Sequence, residues 1–209
     1  MALSIKICGM THPGNISEIA GLSPDYIGLI FHSPSPRNAC ALRPEAIESA
    51  RAGIKLTGVF VDRHETEVLQ LAETFRLSAV QLHGCESPEY CRKLKGRGFE
   101  VWKAVGIEDE NDFLRMERYA GCIDRFVFDR KSPSHGGTGV KFDWQLLRHY
   151  RLPVGFMLGG GIGPDDAEAI ACISHPQFVG LDLNSRFESS PGTKDYHLLD
   201  KFLTRIRKS

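Results

Sequence analysis

Two apolar runs in this sequence end on a residue able to move a proton. Leu3-Ser4-Ile5-Lys6-Ile7 leads into Cys8 and is followed at once by Gly9, and Phe126-Val127-Phe128 leads into Asp129. A thiol at the carboxyl end of a first strand, on a glycine turn, suits a reactive group better than a packing group. A carboxyl closing a later strand supplies the complementary group, and one candidate base with one candidate acid points to proton transfer on a small substrate held between them. Lys6 precedes Cys8 by two positions and shares its face of the strand. Its ammonium, if buried beside the thiol, is expected to favour the thiolate and lower the thiol pKa, the alternative being an interior lysine paired for structural reasons with a carboxylate from another strand. The stretch Gly136-Gly137-Thr138-Gly139 follows Asp129, and residues 132–139 are the expected lid over a substrate.

Further groups with binding chemistry sit at other run ends. Gly159-Gly160-Gly161 and Asp182-Leu183-Asn184-Ser185 follow two late apolar runs. Consecutive glycines let backbone N–H groups approach anionic oxygens, so Gly160, Gly161, Asn184 and Ser185 are candidate phosphate ligands. Arg37 lies in Ser33-Pro34-Ser35-Pro36-Arg37, where two prolines stiffen the loop. Its guanidinium suits a carboxylate or a phosphate, although spacing alone favours a solvated surface arginine. Gln81 and His83 fall two apart and point the same way, with Gln81 one layer deeper. Cys8, His83 and Cys85 match no common zinc spacing, and no metal site is expected there.

The elements that must position these groups alternate regularly. Strands are expected at 3–8, 25–31, 55–61, 79–83, 100–105, 124–129, 154–158 and 177–183. Helices are expected at 15–21, 43–51, 64–75, 87–95, 109–119, 143–150, 164–173 and 194–206. Strands alternating with helices favour a parallel sheet with right-handed crossovers, and eight such units favour an α/β fold of one domain, a (β/α)₈ barrel of the triosephosphate isomerase type over residues 1–209. The runner-up is an open doubly wound sheet, but Gly9-Met10-Thr11-His12-Pro13-Gly14 does not carry the dinucleotide fingerprint. In a barrel all eight strand ends open on one face, and the loops after strands 7 and 8 often hold a phosphate.

Composition narrows the partners. Among 209 residues, 26 basic and 26 acidic side chains cancel, so no global field points to nucleic acid or an anionic membrane. No apolar run approaches the roughly 20 residues of a membrane span. The sequence enters its first strand directly from Met1, without the pattern of a secretory leader, and a cytoplasmic enzyme is expected. The six cysteines are scattered, with no C-x-x-C pair, and are expected to be reduced.

Together these residues resemble the phosphoribosylanthranilate isomerases. The resemblance runs through nearly the whole chain, from Lys6-Ile7-Cys8-Gly9 through Gly28-Leu29-Ile30-Phe31, Ser35-Pro36-Arg37, Gly58-Val59-Phe60-Val61 and Gln81-Leu82-His83-Gly84. It continues through Asp129, Phe142-Asp143-Trp144, Gly160-Gly161 and Asp182 to Lys194-Asp195. It implies a cofactor-free Amadori rearrangement of N-(5-phosphoribosyl)anthranilate to 1-(2-carboxyphenylamino)-1-deoxyribulose 5-phosphate in tryptophan biosynthesis. It further implies Cys8 as general base, Asp129 as general acid, Arg37 on the anthranilate carboxylate, and the Gly160-Gly161 and Asn184-Ser185 loops on the phosphate. One departure concerns Arg186, which stands where the family usually has glycine and is expected to assist the phosphate. The rival readings are the related aminoimidazole ribonucleotide isomerase of histidine biosynthesis and a non-catalytic phosphosugar-binding barrel. The first pairs two aspartates at strands 1 and 5, where this chain has Cys8 and Ala104-Val105-Gly106. The expected partner is a small phosphorylated molecule, and monomer and homodimer both stay open.

Overall fold

The structure, a computed structural model, describes residues 3–51, 53–131 and 141–208. The glycine-rich stretch 136–139 and the expected lid at 132–139 lie outside the described residues. Eight strands form the frame: β1 (Ser4–Cys8), β2 (Tyr26–Ile30), β3 (Lys55–Phe60), β4 (Ala79–Leu82), β5 (Glu100–Ile107), β6 (Arg125–Arg130), β7 (Gly155–Leu158) and β8 (Phe178–Leu183). They pair in chain order, all parallel, and β8 closes on β1. This is the closed eight-stranded parallel barrel expected from the alternation of elements.

Side-chain alternation sorts each strand into two cores. Ile5, Ile7, Leu29, Phe60, Phe126, Phe128, Leu181 and Leu183 point outward and join the large apolar layer between strands and helices. Tyr26, Ala79, Trp102, Ala104, Val127 and Met157 form a smaller cluster. The period-2 geometry of the strands puts that cluster inside the barrel, since its members alternate with the outward set. Above it lies a polar level: Lys6, Thr57 and Gln81 are almost wholly buried. Apolar packing fills the floor of the barrel, and polar groups begin where the strands approach their carboxyl ends.

Several of the helical connections are shorter than the sequence patterns predict. The α-helices are α1 (Pro13–Ala20), α2 (Glu65–Thr74), α3 (Pro88–Gly96), α4 (Asn111–Leu114), α5 (Ala167–Ala171) and α6 (Tyr196–Ile206). Pro44–Arg51 and Trp144–His149 are 3₁₀ segments, where α-helix was expected. The pattern over 109–119 breaks into α4 and a 3₁₀ turn at Glu117–Tyr119. The expected start of α5 at Pro164 is displaced because Asp166 folds back to accept the Gly163 N–H at 2.7 Å. The last helix begins at Tyr196 rather than Lys194, with Asp195 capping it by accepting from the Leu198 N–H at 2.9 Å. Lys194 belongs instead to a small antiparallel hairpin, β9 (Glu188–Ser190) with β10 (Thr193–Lys194), which sequence patterning did not foresee. Among the described residues no helix is long and apolar enough to cross a membrane.

Candidate active site at the carboxyl end of the barrel

The strand ends enclose a cavity of about 470 Å³ lined by Cys8, Arg37, Gln81, His83, Asp129, Gly160, Gly161, Asn184 and Ser185. Nine of the ten residues singled out from sequence therefore face one space. The tenth, Arg186, is exposed and not among the lining residues. Its Nε would lie 3.4 Å from a β-carbon added at Gly163, so it borders the β7 loop from outside. β6 stands three strands from β1 around the ring, so Asp129 and Cys8 reach the cavity from separate walls.

Cys8 closes β1 and is 3% exposed. Its β2 partner is Gly28, and a β-carbon there would come within 2.7 Å of the Cys8 sulfur and 2.9 Å of Lys6 Cε. Only glycine at that position leaves room for the thiol. Lys6 donates to Gln81 Oε1 at 2.6 Å and to Asp182 Oδ2 at 3.0 Å. Burial opposes the Lys6 charge, yet Asp182 and Cys8 beside it hold its pKa above the ordinary lysine value. It is a fixed ammonium beneath the thiol.

That ammonium does not decide the thiol. Burial pushes the Cys8 pKa up, Lys6 and Lys194 pull it back, and Asp182 adds to the rise, leaving it above the ordinary thiol value. The expectation of a net lowering is overturned because desolvation of the sulfur outweighs the nearby cations. Asp129 also moves upward, to about 6, mainly through burial, against the opposing Arg130 N–H that donates to its Oδ1 at 2.7 Å. His83 Nε2 lies 3.9 Å from Asp129 Oδ2. Gly160, with φ +70°, passes so close to the acid that any β-carbon would collide with Asp129 and the Arg130 amide.

Sequence reasoning left three site residues without a role. Asp182 lines the cavity, binds Lys6 through Oδ2, and has Oδ1 buried without a hydrogen-bond partner among the described residues. Its position two residues before Asn184 was the available signal. Glu188 and Lys194 pair at 2.6 Å beside Arg37 and Asn184. They were hidden because the hairpin that carries them has no apolar pattern. Among the described residues no group of three or more His, Cys, Asp or Glu side chains is arranged to hold a metal ion.

A family profile described as N-(5'phosphoribosyl)anthranilate (PRA) isomerase matches residues 5–205. The N-(5'-phosphoribosyl)anthranilate isomerase of Parabacteroides distasonis is 42% identical over 97% of this chain and 92% of its own length. That of Agrobacterium fabrum is 38% identical over 97% of this chain and 94% of its own. Among solved structures, phosphoribosyl anthranilate isomerase from Thermotoga maritima superposes with a TM-score of 0.84 at 29% identity, covering 99% of this chain and all of that one. A phosphoribosyl anthranilate isomerase in complex with reduced 1-(o-carboxyphenylamino)-1-deoxyribulose 5-phosphate superposes with a TM-score of 0.81 at 27% identity, covering 99% of this chain and 100% of that one.

Proposed function

The chain belongs to the N-(5'-phosphoribosyl)anthranilate isomerase family, the isomerases of tryptophan biosynthesis, and from that membership we propose how its own residues divide the reaction. The substrate is N-(5-phosphoribosyl)anthranilate and the product 1-(2-carboxyphenylamino)-1-deoxyribulose 5-phosphate. One observation carries the division: a thiol and a carboxyl with a pKa near 6 face one cavity from separate barrel walls.

Protonated Asp129 donates to the ribose ring oxygen as the bond from carbon 1 to that oxygen breaks, giving the open iminium. The Cys8 thiolate then takes the proton from carbon 2. The electron pair of that bond forms the double bond between carbons 1 and 2 and neutralises the nitrogen. The enolamine becomes the product ketone by moving a proton from the carbon 2 hydroxyl to carbon 1. Lys6 below the sulfur favours the thiolate form at the moment it is needed, and Asp182 Oδ1, buried and without a partner among the described residues, is an acceptor for a sugar hydroxyl. His83 and Gln81 complete the polar wall.

The phosphate belongs at the backbone of Gly160, Gly161, Asn184 and Ser185, with Arg186 adding solvent-screened charge at the rim. The anthranilate carboxylate belongs to Arg37. The related histidine-pathway isomerase is disfavoured because β5 passes through Val105-Gly106 without an aspartate, and a non-catalytic barrel would not need an acid and a base across one cavity. The chain acts as one domain, in the cytoplasm, on a small phosphorylated molecule.

The test follows anthranilate fluorescence. Cys8→Ala and Asp129→Asn should each lower kcat by at least about 10²-fold with much smaller changes in KM, since each group acts chiefly in the transition state. Arg37→Ala should raise KM. A normal kcat in either of the first two variants removes that residue from the mechanism.

A further inference from the structure

Arg37 does not reach the cavity unaided. Its Nε donates to Glu188 Oε1 at 2.9 Å and to Oε2 at 3.0 Å, and its NH2 donates to Oε2 at 2.7 Å. The Nε–NH2 edge of the guanidinium is thus filled by a carboxylate of matching shape. The NH1–NH2 edge carries no hydrogen bond to any described residue. Below the guanidinium the stem crosses Gly9, where an added β-carbon would lie 2.7 Å from both Arg37 Cδ and Asn184 Oδ1. The arginine is therefore clamped at its stem and along one edge, with the other edge free.

Glu188 is itself saturated. Oε1 also accepts from Lys194 Nζ at 2.6 Å and from the Gly192 N–H at 3.2 Å. Lys194 donates further to Asn184 Oδ1 at 2.8 Å, and its own backbone is gripped from both sides by Asn15 on α1. The Glu188 side chain is 4% exposed and that of Lys194 not at all. Burying three charges is costly, and apolar residues of similar volume would stabilise the fold at least as well. The placement of this group against a cavity-lining arginine argues for a role in the site rather than in stability.

We infer that Glu188, held by Lys194, is a positioning residue that sets substrate specificity: it fixes Arg37 so that the open NH1–NH2 edge accepts a carboxylate on the substrate's aromatic ring. The inference rests on the reading that Arg37 takes that carboxylate. Glu188 also offsets the positive charge of Arg37, so that the empty site does not hold a bare guanidinium. A ring without the carboxylate gains nothing from this arrangement, and discrimination between the two substrates is the signature of Glu188.

The experiment compares N-(5-phosphoribosyl)anthranilate with N-(5-phosphoribosyl)aniline in the wild type, Glu188→Gln, Arg37→Ala and the double variant, with product separated by chromatography. Glu188→Gln should raise KM for the carboxylated substrate by about 10-fold and leave kcat within about 3-fold. Its kcat/KM on the aniline compound should stay within about 2-fold of wild type, which also certifies an intact acid, base and phosphate site. In the Arg37→Ala background the same substitution should change kcat/KM by less than about 2-fold, because the two residues act as one unit. Equal losses on both substrates, or undiminished losses without Arg37, would overturn the inference. If Arg37→Ala leaves KM unchanged on the carboxylated substrate, the reading of Arg37 itself fails instead. Should Glu188→Gln not fold, Glu188→Asp retains the charge that Lys194 needs but withdraws the carboxylate, and the same pair of substrates decides.

Discussion

At the scale of single residues, the proposed acid and base are tuned in the same direction, and this fixes the pH behaviour that the proposal requires. Burial pushes Asp129 up to about 6 and Cys8 above an ordinary thiol, yet the proposed mechanism needs the first protonated and the second ionised. Below pH 6 the protonated acid is already complete and thiolate falls about tenfold per unit. Above the thiol pKa the thiolate is complete and the protonated acid falls equally fast. Between the two limits the losses cancel, and the active form is a constant minority. The expected profile of kcat/KM against pH is a plateau that begins near pH 6 and extends beyond pH 9. A rise centred instead at pH 8 to 9 would contradict the assignment. Cys8, Asp129, Gly160-Gly161 and Asn184-Ser185 were legible in the sequence as neighbours at one barrel mouth because each sits where an apolar run stops, and in a barrel such ends converge. The direction of the Cys8 shift was not legible, since it depends on how completely the folded chain excludes water from the sulfur. Glu188 escaped notice for a related reason: Arg37 meets it only through tertiary folding, and Lys194 only across a hairpin too short to show in the sequence.

At the scale of elements, the strand ends must be held in register for the cavity to keep its shape. Lys103 on β5 does much of this. Its Nζ donates to the carbonyls of Leu82, Gly84 and Ala104 at 3.1, 2.8 and 3.1 Å, and to Glu86 Oε2 at 3.2 Å. Glu86 in turn accepts from the backbone N–H groups of Asp62 and Gly84 at 3.0 and 2.9 Å. One ion pair therefore ties the ends of β3 and β4 to the middle of β5, and with them the backbone next to His83. Both side chains are at most 4% exposed. Lys103→Met strands a buried carboxylate and should cost about 3–5 kcal/mol in urea unfolding. Lys103→Met with Glu86→Gln should cost clearly less than the sum of the two single changes, and strict additivity would count against the tie. The eight strands were readable to within two residues because apolar runs of that length are bounded by turn residues. The connections were not: a four-residue helix, a 3₁₀ turn and a hairpin of three plus two residues are too short to show a period.

At the scale of the whole molecule, the site is maintained against the stability of the fold. A carboxyl whose pKa is raised in the folded state, here from 3.8 to about 6, binds its proton more tightly folded than unfolded. Stability therefore declines as pH climbs from about 4 to about 6, and the full cost persists at every higher pH. Two pKa units correspond to at most about 3 kcal/mol, reduced in practice by the partial exposure of the carboxyl. Asp129→Asn removes the titration and keeps an oxygen able to accept from the Arg130 N–H. The variant should thus be more stable than the wild type by about 1–3 kcal/mol at pH 8, measured by urea unfolding, while losing catalysis. The advantage should shrink as pH falls and vanish below about 4, where both side chains are neutral in both states. Glu188 runs the other way: Arg37 and Lys194 hold its pKa low against burial, so its contribution is present above the ordinary glutamate value and lost as acid protonates it. Because that loss is common to both proteins, it cancels in their difference. A pH-independent gap between wild type and Asp129→Asn would mean that the carboxyl is not strained by burial, and the proposed acid would lose the property that lets it hold a proton near neutrality.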